Sequence, residues 1–464
     1  MMKRPITCIK QAFIWMPVFL FSSCATFYQA NLEFNRNFEF GQLEEANRIL
    51  DKAKKEADKK ERFLYYVNKG VVESMLGNYH ASNDWFERAY IFGEDLGKQA
   101  GNVALSFVTN PNAMIYAGED HEHLLLLYYK AMNFLKMGMN ESALVECRRL
   151  NIRLNELSDK YRSDNKYKED AFIHNLMGII YQADRDYNNA FIAYRNAYTI
   201  YKDVYEPMFG VAAPTQLKMD LINMADLNGF STEADFYRRE FGMESYRTEK
   251  SAADLVFFWH NGLGPVKNEW SANFTTGGYS GGFYTFTDQS GYVHTVSCTQ
   301  AQANQLSSLS FVRIALPTYV ERVPRFTDGF LEANGNQYSL EMGENINLIA
   351  QKTLQERMAA EIGKSILRLA LKKVIEEQAR KEDAGLGMLV SVFNAATEKA
   401  DTRNWQTIPH SIYYTRVPLA EGTTNVTLTT GSVNESKQAT FTFEAQQGQT
   451  VFHSYQTLES FIQQ

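Results

Sequence analysis

Two short strings in this 464-residue sequence carry residue types that do chemistry. Gly278-Tyr279-Ser280-Gly281-Gly282 spells G-x-S-x-G, in which a serine on a strained strand-to-helix elbow becomes a nucleophile backed by a helix N-terminus. With Ser280 as nucleophile, Asp328 or Asp401 and His410 or His453 would be the downstream partners of a tethered serine hydrolase. The residues that follow, Phe283-Tyr284-Thr285-Phe286-Thr287, are strand-like and carry no helical period, so a glycine-rich hairpin explains the string better. The second string is His121-Glu122-His123. Residues two apart on a helix point to different sides, the H-E-x-x-H spacing is absent, and no CxxC pair, P-loop or dinucleotide fingerprint occurs. Glu119-Asp120 reads as a pair of acids capping a helix start. No catalytic, metal-ligating or cofactor-binding residue is assigned, and the expectation is a protein that is not an enzyme and holds no cofactor.

The N-terminus carries chemistry of another kind. Lys3, Arg4 and Lys10, an apolar stretch from Ala12 to Phe21, and Ser22-Ser23-Cys24 have the layout of a bacterial lipoprotein leader, with Phe21 where leucine is commoner. Residues 1–23 are read as the signal peptide, Cys24 as the lipidated thiol and 24–34 as a lipidated linker. An ordinary secretory leader with an incidental cysteine is the alternative. Ala25 stands where an aspartate would favour inner-membrane retention, and no acidic cluster suggests surface export. The expected address is the outer membrane, facing the periplasm, held by acyl chains without a span. Of the four cysteines, Cys8 is discarded and Cys24 consumed, leaving Cys147 and Cys298 as separate buried thiols.

Composition bounds the rest. With 13% aromatic residues the chain is no solvated coil, and a mean hydropathy of −0.36 without a long apolar run excludes a polytopic membrane protein. Removing the leader takes the net charge from −7 to −10, which argues against a nucleic-acid partner.

From 35 to 248 small and aromatic residues recur at fixed offsets. The clearest unit is Gly178, Tyr181, Tyr187, Ala190, Tyr194, Ala197; others are Gly70, Gly77, Tyr79, Phe86, Ala89 and Ala131, Gly138, Ala143, Cys147, Leu150. These offsets match the tetratricopeptide pattern, in which small residues let two antiparallel helices touch and aromatics plug the gap. Cys147 takes the plug slot of Phe86 and Tyr194. Gly93–Gly118, with Asn110-Pro111-Asn112, reads as a turn-rich insertion. Such an all-α solenoid offers a concave groove to a protein partner.

From 249 to 464 the period falls to two. Leu255-Val256-Phe257-Phe258-Trp259-His260 is a buried strand ending at the turn Asn261-Gly262, and Ser271–Val296 reads as hairpins. The strands predict a small β-sandwich-like domain, with a helical-hairpin insert at 346–396. Arg357, Lys364, Arg368 and Lys372 share one face of that insert as a candidate stripe for an anionic partner; interspersed glutamates make a solvated face the plainer reading. The fold class is α+β multidomain.

Three stretches resemble a known family: Tyr116-Ala117-Gly118-Glu119-Asp120 leading into Leu124–Ala131 and Ala143–Leu150; Asn261-Gly262-Leu263-Gly264-Pro265-Val266-Lys267; and Ala395–Pro409 leading to Pro418-Leu419-Ala420. The chain is similar to bacterial tetratricopeptide outer-membrane lipoproteins of unassigned function, often encoded beside a lipoprotein that activates penicillin-binding proteins. Thr275–Gly282 departs from that family. The resemblance implies a role in envelope assembly or control of peptidoglycan synthesis and supplies no catalytic residues. In the third stretch Asp401, Arg403 and Trp405 are the candidate interdomain junction. The leading expectation is a non-enzymatic scaffold that recruits an envelope protein through the solenoid groove. A glycan- or peptidoglycan-binding protein is the alternative, using Trp270, Tyr279 or Tyr284 as stacking platforms if they are exposed. A starch-utilisation-type lipoprotein is disfavoured by the strand-rich second half.

Overall fold

The computed structural model describes residues 26–57, 60–99, 114–158, 169–247, 251–289, 291–307, 311–382, 399–433 and 435–462. The protein is α+β, helical first and sheet-rich after. The helical part runs through α1 (Phe27–Ala30), α2 (Leu32–Glu39), α3 (Leu43–Ala57), α4 (Arg62–Met75), α5 (Tyr79–Gln99) and α6 (Asp120–Lys136). It continues through α7 (Asn140–Ser158), α8 (Ala171–Ala183), α9 (Tyr187–Ile200), a π-helical turn at Tyr201–Tyr205, α10 (Glu206–Phe209), α11 (Thr215–Leu227) and α12 (Ser231–Glu240).

The pairs α4–α5, α6–α7, α8–α9 and α11–α12 are antiparallel hairpins. Two of them are set by one contact repeated at the same sixteen-residue offset. A Cβ on Gly70 would lie 2.6 Å from the Phe86 ring, and one on Gly178 would lie 2.5 Å from Tyr194. The third hairpin has Ala131 and Cys147 at the same offset, a larger small residue paired with a smaller plug, both fully buried. Gly77 and Gly138 close the first two hairpins at φ +83° and +71°, where a side chain is strained. The α8–α9 turn uses Arg185 at φ 62° instead. Its guanidinium lies against Gly448 in the sheets, where a Cβ would meet it.

The second part opens with β1 (Ala253–Asn261), β2 (Val266–Ser280), β3 (Phe283–Asp288) and β4 (Val293–Ser297), followed by α13 (Gln300–Leu306). Next come β5 (Phe311–Val320), β6 (Arg322–Pro324), β7 (Asp328–Ala333), β8 (Asn336–Ser339) and β9 (Glu341–Asn345). The long helix α14 (Ile346–Glu382) precedes β10 (Ser411–Leu419), β11 (Gly422–Ser432), β12 (Glu435–Ala445), β13 (Thr450–Thr457) and β14 (Ser460–Ile462). Sheets of order β13-β1-β10-β9 and β12-β11-β7-β8 pack face to face, with β1 and β13 parallel. β6 and β14 form a two-stranded ladder.

The sequence predicted one small sandwich. A further sheet, β4-β3-β2-β5, has its own core instead, with Phe274, Phe286, Ile314 and Leu316 covered by Leu306 of α13 and Ile362 and Ile366 of α14. α14 lies between β9 and β10, which pair with each other, so it is an insertion between neighbouring strands; residues 383–396 of the expected hairpin lie outside the described residues.

Two other expectations are corrected. The turn-rich reading of Gly93–Gly118 does not hold at its start, because α5 continues through Gln99 and Gly93 packs against the His123 ring. The linker reading of 24–34 fails from Thr26 onward. Thr26 and Gln29 form a capping box that starts α1, and Phe34, Asn35 and Phe38 of α2 are buried. Cys24 itself lies outside the described residues.

β1 joins the two parts. Leu255, Phe257 and Trp259 enter the core between the two facing sheets, while Val256 and Phe258 enter the core of the helical array. A strand buried on both faces reads as a continuous apolar run, which is why no alternation shows in 255–259. Because a Cβ at this position has no room beside Tyr194, Gly178→Ala should lower unfolding free energy by about 1–3 kcal/mol. An unchanged urea midpoint would show that Tyr194 yields freely.

Candidate functional site

The array's first helices, α4, α6, α8 and α11, face the sheets, and α5, α7, α9 and α12 lie behind them. The inner face is not an open groove. It is filled by residues 399–410 and by β1 and β10 of the same chain, which corrects the expectation that a partner enters there. Trp405 is fully buried, with ring centroids 6.0 Å from Phe86 and 5.8 Å from Tyr129. Its indole N–H donates to Thr407 Oγ1 (2.7 Å), and the Thr407 hydroxyl donates to Asn68 Oδ1 of α4 (2.9 Å). The Trp405 backbone N–H donates to Glu122 of α6. Arg403 forks onto Asp401 at 2.9 and 2.7 Å and donates to the Met114 carbonyl at 2.9 Å. The three candidate junction residues therefore stand together against the helices. Asn35 reaches Gln406 Oε1 (2.9 Å), and Arg322 donates to the Gly264 and Gln406 carbonyls.

Beside this segment lies a buried charge cluster that the sequence reading missed. Glu119 forms ion pairs with both Lys267 of β2 and Arg357 of α14. Burial alone would raise the Glu119 carboxyl, but Arg357 and Lys267 outweigh it and hold the group below the ordinary range. Glu122 goes the other way, raised by burial and by the Glu119 charge. It accepts from Tyr116 Oη and from the Glu119 N–H, each at 2.9 Å. The two carboxyls are driven apart in acidity by opposite surroundings. Glu119-Asp120 as mere caps is thus an incomplete reading: α6 does begin there, but Glu119 is the meeting point of three elements. The available signal was an acid one turn from another, at the head of the all-apolar run Leu124–Leu127.

The basic stripe is corrected. Arg357 is spent on Glu119, Lys372 is buried, Arg368 is half-buried, and Lys364, paired with Glu361, is the exposed member. Offsets put these cations on one face, but that face turns largely inward. His121 and His123 do point to different surroundings. His123 packs on Phe63 (5.0 Å) and meets the Ala117 carbonyl, while His121 meets Tyr319 edge-on (5.8 Å). Among the described residues no cluster of His, Cys, Asp and Glu has the makings of a metal site.

Ser280 ends β2 and is followed by Gly281 and Gly282 at φ +59° and +87°, a two-residue hairpin turn into β3. The string runs into strand β3 and not into a helix. The partners proposed for Ser280 are engaged elsewhere: Asp328 with the Thr327 hydroxyl (2.8 Å), Asp401 with Arg403, His410 with Glu321 (2.8 Å), and His453 among the Phe257, Phe441 and Phe443 rings. Of the glycan-stacking candidates Trp270 is exposed, Tyr279 is partly packed into the core and Tyr284 is buried, so the three do not share one exposed face. Cys147 and Cys298 are free and buried, and burial pushes both thiols up.

A second polar group sits at the far end of the inner face. Glu344 accepts from Tyr205 Oη (3.3 Å) and hydrogen-bonds Asp170; burial and the Asp170 charge raise its carboxyl well above the ordinary range. A cavity of about 30 Å³ separates these acids from His121 and Tyr128. Burial depresses the His121 imidazole to about 3, so it is neutral. Tyr128 bridges to His260 of β1 at 2.8 Å, and Arg416 of β10 reaches Gln182 (2.9 Å) and Asp220 (3.3 Å). Every one of these links ties a helix to a strand. The arrangement holds two parts together and presents no nucleophile to solvent.

No family model matches the sequence, and no curated protein matches it. Among solved structures the chain is similar to BtubC (BKLC) from P. vanneervenii, with 15% identity over 48% of this chain and 82% of that one and a TM-score of 0.32. It is also similar to the MamA RS-1 ArsTM double mutant (17%, 47% and 90%, TM-score 0.29). A Podosopora anserina protein with nearly identical TPR-like repeats gives 13%, 48% and 97% at a TM-score of 0.30. Scores near 0.3 are too low for a shared global fold, and the repeat assignment rests on the Gly70–Phe86 and Gly178–Tyr194 contacts.

The raised Glu344 carboxyl has a signed consequence. The folded state keeps a proton that the unfolded state gives up, so stability from this group is full below the ordinary carboxylate range and is lost as pH rises towards its folded value. Glu344→Gln removes that loss, so the variant should gain on the parent progressively as pH rises above the ordinary carboxylate range. A pH-independent difference in unfolding free energy would mean that Glu344 ionises normally.

Proposed function

We propose that the protein is a non-enzymatic, lipid-anchored scaffold of the bacterial cell envelope that offers the outer helices of its array to a protein partner. Three residues at one repeat position carry the reading. Val145 of α7, Ile192 of α9 and Phe236 of α12 each lie seven residues after the left-handed turn residue of their hairpin, Gly138, Arg185 and Gly229, and are 47%, 38% and 51% exposed. Large apolar side chains repeated at equivalent places on successive outer helices form a ladder, and such exposed apolar surface marks interaction sites. The inner face is occupied by the chain's own residues 399–410, so the outer face is where a partner has room. The Ser22-Ser23-Cys24 leader supports anchoring in the outer membrane facing the periplasm, and the family resemblance supports a role in envelope assembly or peptidoglycan synthesis.

A photo-crosslinking residue placed at Ile192 in living cells should give a discrete higher-mass product that Val145→Glu and Phe236→Glu diminish. The same residue at Gln438, exposed on β12, should give none. Equal products at both positions, or none at Ile192, would contradict the reading.

A further inference from the structure

The start of the described chain is surrounded by exposed apolar side chains. On one side, Phe27 N–H donates to Thr402 Oγ1 (3.2 Å), the neighbouring Arg403 holds the Met114 carbonyl (2.9 Å), and Met114 and Ile115 are exposed. On the other, Tyr28 Oη donates to Glu39 (3.1 Å) and Arg322 of β6 pairs with Glu39 (3.0 Å). Next to Glu39 stands Phe40, 78% exposed. Across the β6–β14 ladder Val323 faces Phe461 and Arg322 faces Ile462, and Val323, Phe461 and Ile462 are all exposed. Cations are interspersed: Arg36 and Lys60 are exposed, and Arg325 lies over the Phe461 ring at 5.8 Å.

We propose that this rim of Phe40, Ile115, Val323, Phe461 and Ile462 is a membrane-docking surface that rests in the headgroup layer of a phospholipid bilayer. The inference rests on the lipid-anchor reading of Cys24. Ala25 alone separates Cys24 from Thr26, and two residues of chain span at most about 7 Å. α1 is not a tether, because Phe27, Tyr28 and Asn35 are bonded to Thr402, Glu39 and Gln406. An acyl chain on Cys24 therefore brings this part of the surface to the bilayer and leaves it no slack to swing away. Apolar side chains mixed with Arg and Lys are the composition that settles at a lipid interface, and Glu39, the acid at the centre, is already neutralised by Arg322. The lipid anchor fixes position but not orientation, and a second membrane contact beside it converts attachment into a fixed orientation.

The test uses the full lipidated protein in vesicles of phosphatidylethanolamine and phosphatidylglycerol. Phe40→Cys, Ile115→Cys and Phe461→Cys are each labelled with an environment-sensitive fluorophore, the native Cys147 and Cys298 being buried. Lipid-borne quenchers should remove emission at these three positions and leave a label at Phe236→Cys, on α12, unaffected. Vesicle-bound protein whose three labels are not quenched overturns the rim while the anchor stands. The same holds if the labels are already shielded without vesicles, which would mean that another protein surface or a second copy covers them. A chain that carries no lipid at Cys24 by mass spectrometry overturns the anchor and the rim with it.

Discussion

Strand β1 has no solvent face, and the helical array and the sheets are both built around it. One side of the strand completes the core between two facing sheets; the other supplies Val256 and Phe258 to the helices. Full burial of each such side chain contributes about 1.5–3 kcal/mol, so each part loses a share of its core if the other is removed. The array bends round this strand and the segment 399–410 as a hand round a rod. Helix α6 reports the consequence, with nearly every side chain buried, as expected of a helix enclosed on all sides.

Apolar packing of this kind is non-directional, and the polar links supply register. Lys267 and Arg357 meet at Glu119, Trp405 and Glu119 present backbone N–H groups to Glu122, Tyr128 meets His260, and Arg416 meets Asp220. Burying charge is expensive unless it is paired, so such pairs add little net stability but penalise any other docking of the two parts. A surface welded in this way has fixed geometry, which is what a scaffold and an oriented membrane contact both require.

Much of this was legible in the residues. The Gly70–Phe86 and Gly178–Tyr194 offsets, the apolar run 255–259 and the hairpin at Gly281-Gly282 each have a local cause that a sequence displays. The rest was set by partners distant along the chain. Periodicity places Arg357, Lys364, Arg368 and Lys372 on one helix face but cannot say which way that face turns; Glu119, far upstream, decides it. An array of helical hairpins predicts a groove, and only the fold reveals that residues 399–410 return to fill it. The stretch after Cys24 looked like a tether because α1 is a single turn, and its stability comes from Thr402 and Gln406 near the other end of the sequence.

A fold organised around a shared strand requires that its two parts open together. Native-state hydrogen exchange measures this directly. Amides of Val256–Trp259 in β1 and of Leu125–Tyr129 in α6 should exchange with the same opening free energy and the same denaturant dependence, as one cooperative unit. Exchange of the α6 amides through a cheaper opening that leaves β1 protected would show that the helices close on their own, and would contradict a fold organised around a shared strand.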